Sequence, residues 1–261
     1  SLSRNIIFTL CFMVMTIIII GAGVNQGIER WSKRMMPALV VLLLGLIAYM
    51  LTLPNAMVGL AHYLQPDFSR IFDSELVISA MGQAFFSLSL GVGCMLIYGS
   101  YLSSDENIVK AGAWVTLLDV GLAFVAGLLI IPSMYIAAHF GVEIFDADGA
   151  LLNSDTLIFT ILPALFNQMG VAGPIVAFAF FLLMSLAALT SSISLLEVPV
   201  AYVVETHKKP RIITSWVIGS LVTLLSLVIV FNFQWLFGLV ITITTKYSQP
   251  LLGLFFCLYA G

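Results

Sequence analysis

Long runs of apolar residues, separated by short polar connectors, dominate this chain. A helix needs about 20 apolar residues to cross the roughly 30 Å hydrocarbon core of a bilayer. The sequence therefore predicts seven membrane-spanning helices, at 5–24, 36–54, 77–102, 109–137, 171–204, 212–232 and 235–260. Because these runs are continuous rather than alternating, they do not match the strands of a membrane β-barrel. The predicted fold class is an all-α, polytopic membrane helix bundle.

Composition supports a membrane protein. Of the 261 residues, 61% are hydrophobic and 9% are charged, whereas a soluble domain carries about 25% charged residues. The net charge is −3 without a basic run, so we expect no nucleic-acid partner. The cysteines Cys11, Cys94 and Cys257 lie in apolar stretches without metal-ligand spacing, which argues against a zinc site or a disulfide framework.

The basic residues predict the orientation in the membrane. Seven of the ten Lys and Arg lie in or beside the connectors 25–35, 103–108 and 205–211. Positively charged connectors stay in the cytoplasm, so the longer connectors, 55–76 and 138–170, are predicted to be extracellular. The expected location is the cell (inner) membrane, where the multi-pass chain contacts the lipid bilayer.

The connector 138–170 is acidic and ends in the apolar stretch DTLIFTILPALFNQMG. This stretch is too short, and too interrupted by Pro163, to span a bilayer. It predicts a re-entrant or surface helix over an outer vestibule, with Ser154 or Asp155 as its N-cap.

The third span contains the segment GQAFFSLSLGVGCMLIYGSYL, with Ser87, Ser89, Gly91 and Gly93 within seven residues. In lipid, an unwound backbone is tolerated only beside a cavity, and a broken helix there could present carbonyls and amides to a bound ion and a carboxylate. A small-residue packing face explains the same pattern, and the pattern alone does not decide between the two.

Two other spans carry polar groups inside the membrane. Asp119 lies about ten residues into the fourth span, where a carboxylate is costly and needs a partner, a bound cation or a proton. In the fifth span, Ala187, Thr190, Ser191 and Ser194 share one helix face. Their hydroxyl and carbonyl oxygens suit a hard cation, although hydroxyl faces also join helices in membranes.

Two charged residues within the spans each allow more than one interpretation. Glu197 is predicted to answer a donor freed by Pro199 or to reach the cytoplasmic interface. Lys246 is the only base within a span, and it could snorkel, pair with an acid or point into a cavity.

The segments NQGIERWSKRMMP, GQAFFSLSLGVG, YGSYLSSDENIV, LLDVGLAFVAGL and LTSSISLLEVPVAY, in this order, resemble the neurotransmitter:sodium symporter family in its bacterial branch. The resemblance implies a LeuT-type fold, in which two inverted five-helix repeats hold the substrate and two sodium ions between two broken helices. The seven spans would be the family's fourth to tenth helices. Residues 1–54 would then end the first repeat and 77–261 would form the second, with 77–102 as its broken helix.

The resemblance also implies a set of substrate residues. Phe86 resembles the aromatic lid over the substrate, and Ser89 the unwound backbone beside it. Val92 stands where many relatives have Phe, and Leu195 resembles a residue of the side-chain subsite. The substrate set is Phe86, Ser87, Ser89, Val92, Ser191 and Leu195. A larger pocket at Val92 favours an apolar or aromatic amino acid as substrate.

Two sodium sites are implied in the same way. Ser87 and Asp119 resemble ligands of the first sodium ion, whereas Ala187, Thr190 and Ser191 resemble the second site. Some relatives need chloride near the first site. Asp119 carries its own negative charge, so no chloride requirement is expected.

Gly27 and Pro37 resemble the Gly-x9-Pro element that is associated with unwinding of the fifth helix and cytoplasmic opening. Ligands that the family draws from its first and third helices are absent from this chain, and an outer-gate acid is not apparent in 238–242. We therefore expect a segment of a longer protein that is inactive without its N-terminal helices.

The function predicted from these features is sodium-coupled symport of an amino acid. A non-transporting remnant or an assembly subunit is the first alternative. An intramembrane hydrolase using Ser191 or Ser89 with Asp119 is the second, but no histidine or lysine base is placed for it, so no enzyme is expected.

Overall fold

The computed structural model describes residues 2–66, 68–69, 71–142 and 157–260. Within these ranges the chain forms eleven α-helices and no strand. They are α1 (Leu2–Gly21), α2 (Arg30–Met50), α3 (Ala56–Leu64), α4 (Ser74–Ser87), α5 (Cys94–Ser100), α6 (Ile108–His139), α7 (Leu162–Gln168), α8 (Gly173–His207), α9 (Arg211–Phe231), α10 (Phe233–Ile241) and α11 (Gln249–Ala260). The prediction of an all-α fold is confirmed.

Among the described residues, five helices are long and apolar enough to cross a membrane. They are Leu2–Gly21, Gln26–Met50, Ile108–His139, Gly170–His207 and Arg211–Phe231, and they correspond to the first, second, fourth, fifth and sixth predicted spans. The third predicted span is divided between α4 and α5, as expected for a broken helix. The seventh predicted span, 235–260, is helical along its described residues, because α10, a π-helical segment and α11 follow one another without a break from Phe233 to Ala260.

The helix of the seventh span changes its winding at its polar residues. A π-helical segment, Thr242–Ser248, lies between α10 and α11. Pro250 lacks an amide hydrogen and removes one helical hydrogen bond at the junction. Before it, the Thr245 hydroxyl donates to the carbonyl oxygen of Ile241 at 2.6 Å. Side-chain hydroxyls that bond to the backbone in this way often bend a membrane helix.

The connector predicted at 25–35 is helical, so the second helix begins before residue 36, where its span was predicted to begin. A π-helical segment, Val24–Glu29, leads directly into α2. Lys33 donates to Glu29 at 2.5 Å, one turn away on the helix surface. The basic residues here extend the second helix beyond the apolar run, because a helix continues into water where such (i, i+4) pairs support it.

The chain divides into two compact units, and three helices, α2, α6 and α8, contribute to both. The first unit comprises residues 1–34, 69–116 and 188–261. Here α1 packs on α9, where the side chain of Ile17 occupies the space that a Cβ on Gly219 would need. The broken helix packs in the same unit, because α4 contacts both α11 and the π-helical segment before it.

The second unit comprises residues 35–68 and 117–187. Its core includes the fully buried side chains of Met50, Met134, Ile136 and Phe180. Helix α7 joins this core through Leu165, which is 0% exposed. The helix predicted at the end of the connector 138–170 is therefore present and has a buried face, whereas its predicted N-cap, Ser154 or Asp155, lies outside the described residues.

Candidate functional site

The backbone is irregular between α4 and α5, in the first unit. Helix α4 ends at Ser87 and α5 begins at Cys94. The backbone between them has a positive φ at Ser89 (52°), Gly91 (82°) and Gly93 (85°). Glycine adopts such angles at little cost, but a serine there is strained. The sequence left open whether these small residues form an unwound segment or a packing face, and the structure shows an unwound segment.

Gly91 is needed for a close approach as well as for its φ. A Cβ at this position would overlap the carbonyl oxygen of Gln249 and lie 3.0 Å from the amide nitrogen of Gly253. A Cβ on Gly253 would in turn overlap the ring of Phe85. The broken helix and the last helix therefore pack backbone to backbone, and only glycine fits at the contact.

The predicted substrate residues of the broken helix lie at its end and in the unwound segment. Phe86 is 53% exposed within the described chain, and Ser87, next to it, is also exposed. Ser89 and Val92 are half-buried in the unwound segment. These side chains are accessible within this chain, but their roles toward a substrate remain predictions.

Helix α8 carries the remaining substrate residues and the second predicted sodium site. Ala187 and Thr190 are half-buried, Ser191 is exposed, and Leu195 is 53% exposed. They lie on a continuous α-helix, which ends at His207. A helix of this kind brings the carbonyl and hydroxyl groups of positions 187, 190 and 191 to one side, as the site requires.

Ser194, the fourth member of that face, packs against α5. Its hydroxyl accepts from the Tyr98 hydroxyl at 2.9 Å and donates to the Thr190 carbonyl at 3.1 Å. The thiol of Cys94 donates to the Ser194 carbonyl at 3.6 Å. On the adjacent face, Ser192 and Thr16 join α8 to α1 through their hydroxyls, 3.2 Å apart. Part of the hydroxyl pattern of α8 therefore joins helices.

Asp119 lies half-buried in α6. It belongs to the second unit, whereas Ser87 belongs to the first. Their convergence on one sodium ion remains a prediction from the family resemblance.

The predicted gating residues lie around the start of α2. Gly27 is buried in the π-helical segment, and a Cβ there would overlap the carbonyl oxygen of Ile19. Pro37 lies inside α2, which is helical on both sides of it. The irregular backbone is therefore at Gly27 in this structure, ten residues before the proline.

The first unit also contains a buried ionic network that the sequence analysis did not find. Glu197 is 0% exposed. One of its carboxylate oxygens accepts from the Tyr101 hydroxyl and the other accepts from the Arg211 guanidinium, each at 2.5 Å. The Nε of Arg211 also donates to the Ile20 carbonyl at 2.9 Å. The network joins α8 to the end of α5, the end of α1 and the start of α9.

This network brings together the helix ends beside the three connectors that are predicted to be cytoplasmic, so these helix ends lie on the same side of the first unit. Glu197 was expected either to pair with a donor freed by Pro199 or to reach the cytoplasmic interface, and Arg211 was counted as a connector charge. The signal available in the sequence was the cost of an unpaired acid in a span, which demands a partner; the identity of that partner depends on the fold.

The fold and the broken helix define a class, a multi-pass helical membrane protein with an interrupted span. Comparison with known proteins identifies the family within this class. The model of the sodium:neurotransmitter symporter family matches residues 3–259. The chain belongs to this family, as its motifs predicted.

Individual relatives agree with this assignment. The uncharacterized sodium-dependent transporter YhdH of Bacillus subtilis is 37% identical over 218 residues, which are 84% of this chain and 46% of YhdH. The human sodium- and chloride-dependent creatine transporter 1 is 32% identical over 152 residues, which are 58% of this chain and 23% of the transporter. These proteins are named as transporters, in agreement with the prediction that the chain is not an enzyme.

Among solved structures, the crystal structure of MhsT in complex with L-phenylalanine matches with a TM-score of 0.78 and 37% identity. The match covers 95% of this chain and 56% of MhsT. The LeuT-type fold predicted from the motifs is therefore confirmed. The chain spans about half the length of YhdH and MhsT.

Proposed function

We propose that this chain forms half of a sodium-coupled symporter that carries an apolar or aromatic amino acid across the cell membrane. Sodium and substrate would together stabilise an occluded state, so that sodium entry down its gradient drives uptake. The observation that carries the proposal is the unwound segment between α4 and α5, whose positive φ angles lie at Ser89, Gly91 and Gly93. An interrupted span is where transporters of this fold bind ions and substrate.

Relatives support sodium as the coupling ion and an amino acid as the substrate. YhdH is named as a sodium-dependent transporter, and MhsT was crystallised with L-phenylalanine. In our proposal, Phe86, Ser87, Ser89, Val92, Ser191 and Leu195 contact the substrate. Val92 is smaller than the Phe that many relatives have at this position, so it leaves room for an aromatic or large apolar side chain of the substrate.

The ions would be held by oxygen atoms. Ser87 and Asp119 would bind the first sodium ion, and Ala187, Thr190 and Ser191 the second. Hydroxyl, carbonyl and carboxylate oxygens are the ligands that hard cations prefer. The creatine transporter is named as chloride-dependent as well as sodium-dependent. We infer that the carboxylate of Asp119 makes chloride unnecessary here, since it supplies a fixed negative charge.

The chain covers about half of its relatives, and the family draws further ligands from its first and third helices. We therefore expect that the chain alone, reconstituted into liposomes, gives no sodium-dependent amino-acid uptake. The full gene product, with upstream helices restored, should accumulate a radiolabelled aromatic amino acid only under an inward sodium gradient. Choline in place of sodium is the control for passive entry.

Two results of this experiment would contradict the proposal. Accumulation that is equally fast in choline would exclude sodium coupling. No accumulation of any amino acid by a folded full gene product would favour a non-transporting remnant or an assembly subunit.

A further inference from the structure

Gln249 is a buried polar residue that the proposed sites do not use. It is the first residue of α11, between the π-helical segment Thr242–Ser248 and Pro250. The residue is 7% exposed. Among the described residues, its Oε1 is a buried side-chain oxygen without a hydrogen-bond partner. An unsatisfied buried acceptor is destabilising, so its presence requires an explanation.

The backbone of Gln249 lies directly against the unwound segment. The contact is so close that a Cβ on Gly91 would overlap the Gln249 carbonyl oxygen. The unwound segment also offers donors. Amides of Leu88, Ser89 and Leu90 bond to carbonyls of α4. The next three amides, of residues 91–93, meet no acceptor in the part of the chain that the structure describes. An unpaired acceptor and unpaired donors thus occur at one contact between two irregular backbones.

Both sides of this contact lie in predicted membrane spans, where water does not satisfy backbone groups freely. Gln249 and the amides of residues 91–93 lie on the two sides of this contact, so a small rearrangement of the unwound backbone would allow a hydrogen bond between them. Residues that ligate sodium and substrate lie on the same segment under the proposed function, so binding and the hydrogen bond would order the same backbone.

We propose that Gln249 is a positioning residue for the broken helix: its side-chain oxygen accepts a hydrogen bond from the unwound backbone around Gly91 when sodium binds. The bond holds Ser87 and Ser89 in their ligand-binding arrangement without Gln249 touching sodium or substrate. This inference rests on the proposed function. It assigns to α11 a role in sodium affinity that the apolar character of this helix does not indicate.

The test compares Gln249→Met with wild type in the purified full gene product. Methionine has a similar length and no acceptor oxygen of comparable strength. Thermal unfolding is followed over a series of sodium concentrations, which gives both the sodium-free midpoint and the half-saturating sodium concentration. Gln249→Glu keeps an acceptor at the same reach. Gln65→Met makes the same change at an exposed position after α3.

We expect Gln249→Met to raise the half-saturating sodium concentration about tenfold, which corresponds to about 1.4 kcal/mol. Its sodium-free midpoint should be unchanged or higher, since an unsatisfied polar group has been removed from an apolar site. Gln249→Glu should restore most of the sodium affinity, and Gln65→Met should behave as wild type.

A half-saturating concentration within twofold of wild type in Gln249→Met would overturn the inference. So would an equal loss of stability with and without sodium, which is the signature of a purely structural role. If sodium fails to stabilise even the wild-type protein, the proposed function itself is refuted, and the role of Gln249 in sodium binding with it.

Discussion

Asp119→Ala is expected to abolish sodium-dependent uptake in the full gene product. The substitution removes both an oxygen ligand and the only charge proposed for the first sodium site. Loss of even an outer partner of a metal site typically lowers affinity about 10- to 100-fold. We therefore expect the half-saturating sodium concentration to rise at least about 100-fold. The half-saturating sodium concentration is obtained from initial uptake rates measured over a wide range of sodium concentrations.

Two matched substitutions separate charge from coordination. Asp119→Asn keeps an oxygen ligand but removes the charge, so its uptake should become dependent on chloride, whereas wild-type uptake should be the same in chloride and gluconate. Asp105→Ala removes an exposed acid from the connector before α6 and should transport as wild type does. Undiminished sodium-dependent uptake by Asp119→Ala would refute the ion role of this residue.

The second large effect is on stability. Glu197→Ala should destabilise the protein by about 3–5 kcal/mol, because it leaves the half-buried Arg211 guanidinium without its carboxylate partner. Tyr101 loses its acceptor in the same variant. The free energy of unfolding can be compared by thermal denaturation in detergent, at a fixed sodium concentration.

The chain provides an exposed ion pair as the control. Lys33 and Glu29 are also 2.5 Å apart, but their side chains are 74% and 48% exposed. Glu29→Ala should therefore change stability by less than about 0.5 kcal/mol. The double variant Glu197→Leu/Arg211→Leu should recover much of the stability lost in Glu197→Ala, since replacing both partners by apolar groups leaves no buried charge. Equal effects of Glu197→Ala and Glu29→Ala would contradict the assigned network.

The sequence predicted those features that depend on local pattern. Apolar runs of sufficient length predict spanning helices because the bilayer fixes the length that is needed, and α1, α6, α8 and α9 follow the predicted spans closely. The sequence predicted where the third span is irregular, but not whether its backbone unwinds. Ser87, Ser89 and the glycines suit both an unwound segment and a packing face. The contact of Gly91 with the last helix, which only the fold reveals, explains why glycine is required at this position.

Features that depend on distant partners were not predictable. The partner of Glu197 is an arginine beyond the end of the same helix, and the helix ends that it joins are far apart in the sequence. The π-helical segment before Gln249 was likewise not predictable from hydropathy, which indicates only a regular α-helix for this apolar run. The hydroxyl and proline residues of the run account for the change in winding. The family motifs identified the candidate sodium ligands. Whether these residues meet at one ion depends on how the helices pack.

Our central claim is that oxygen atoms of three helices hold sodium ions within the membrane. The most direct test is a crystal structure of the full gene product grown with thallium(I) in place of sodium, since thallium scatters anomalously. The account predicts two anomalous peaks, one bound by Ser87 and Asp119 and the other by Ala187, Thr190 and Ser191. Anomalous peaks located elsewhere, with these five residues engaged only in contacts with other side chains, would contradict it.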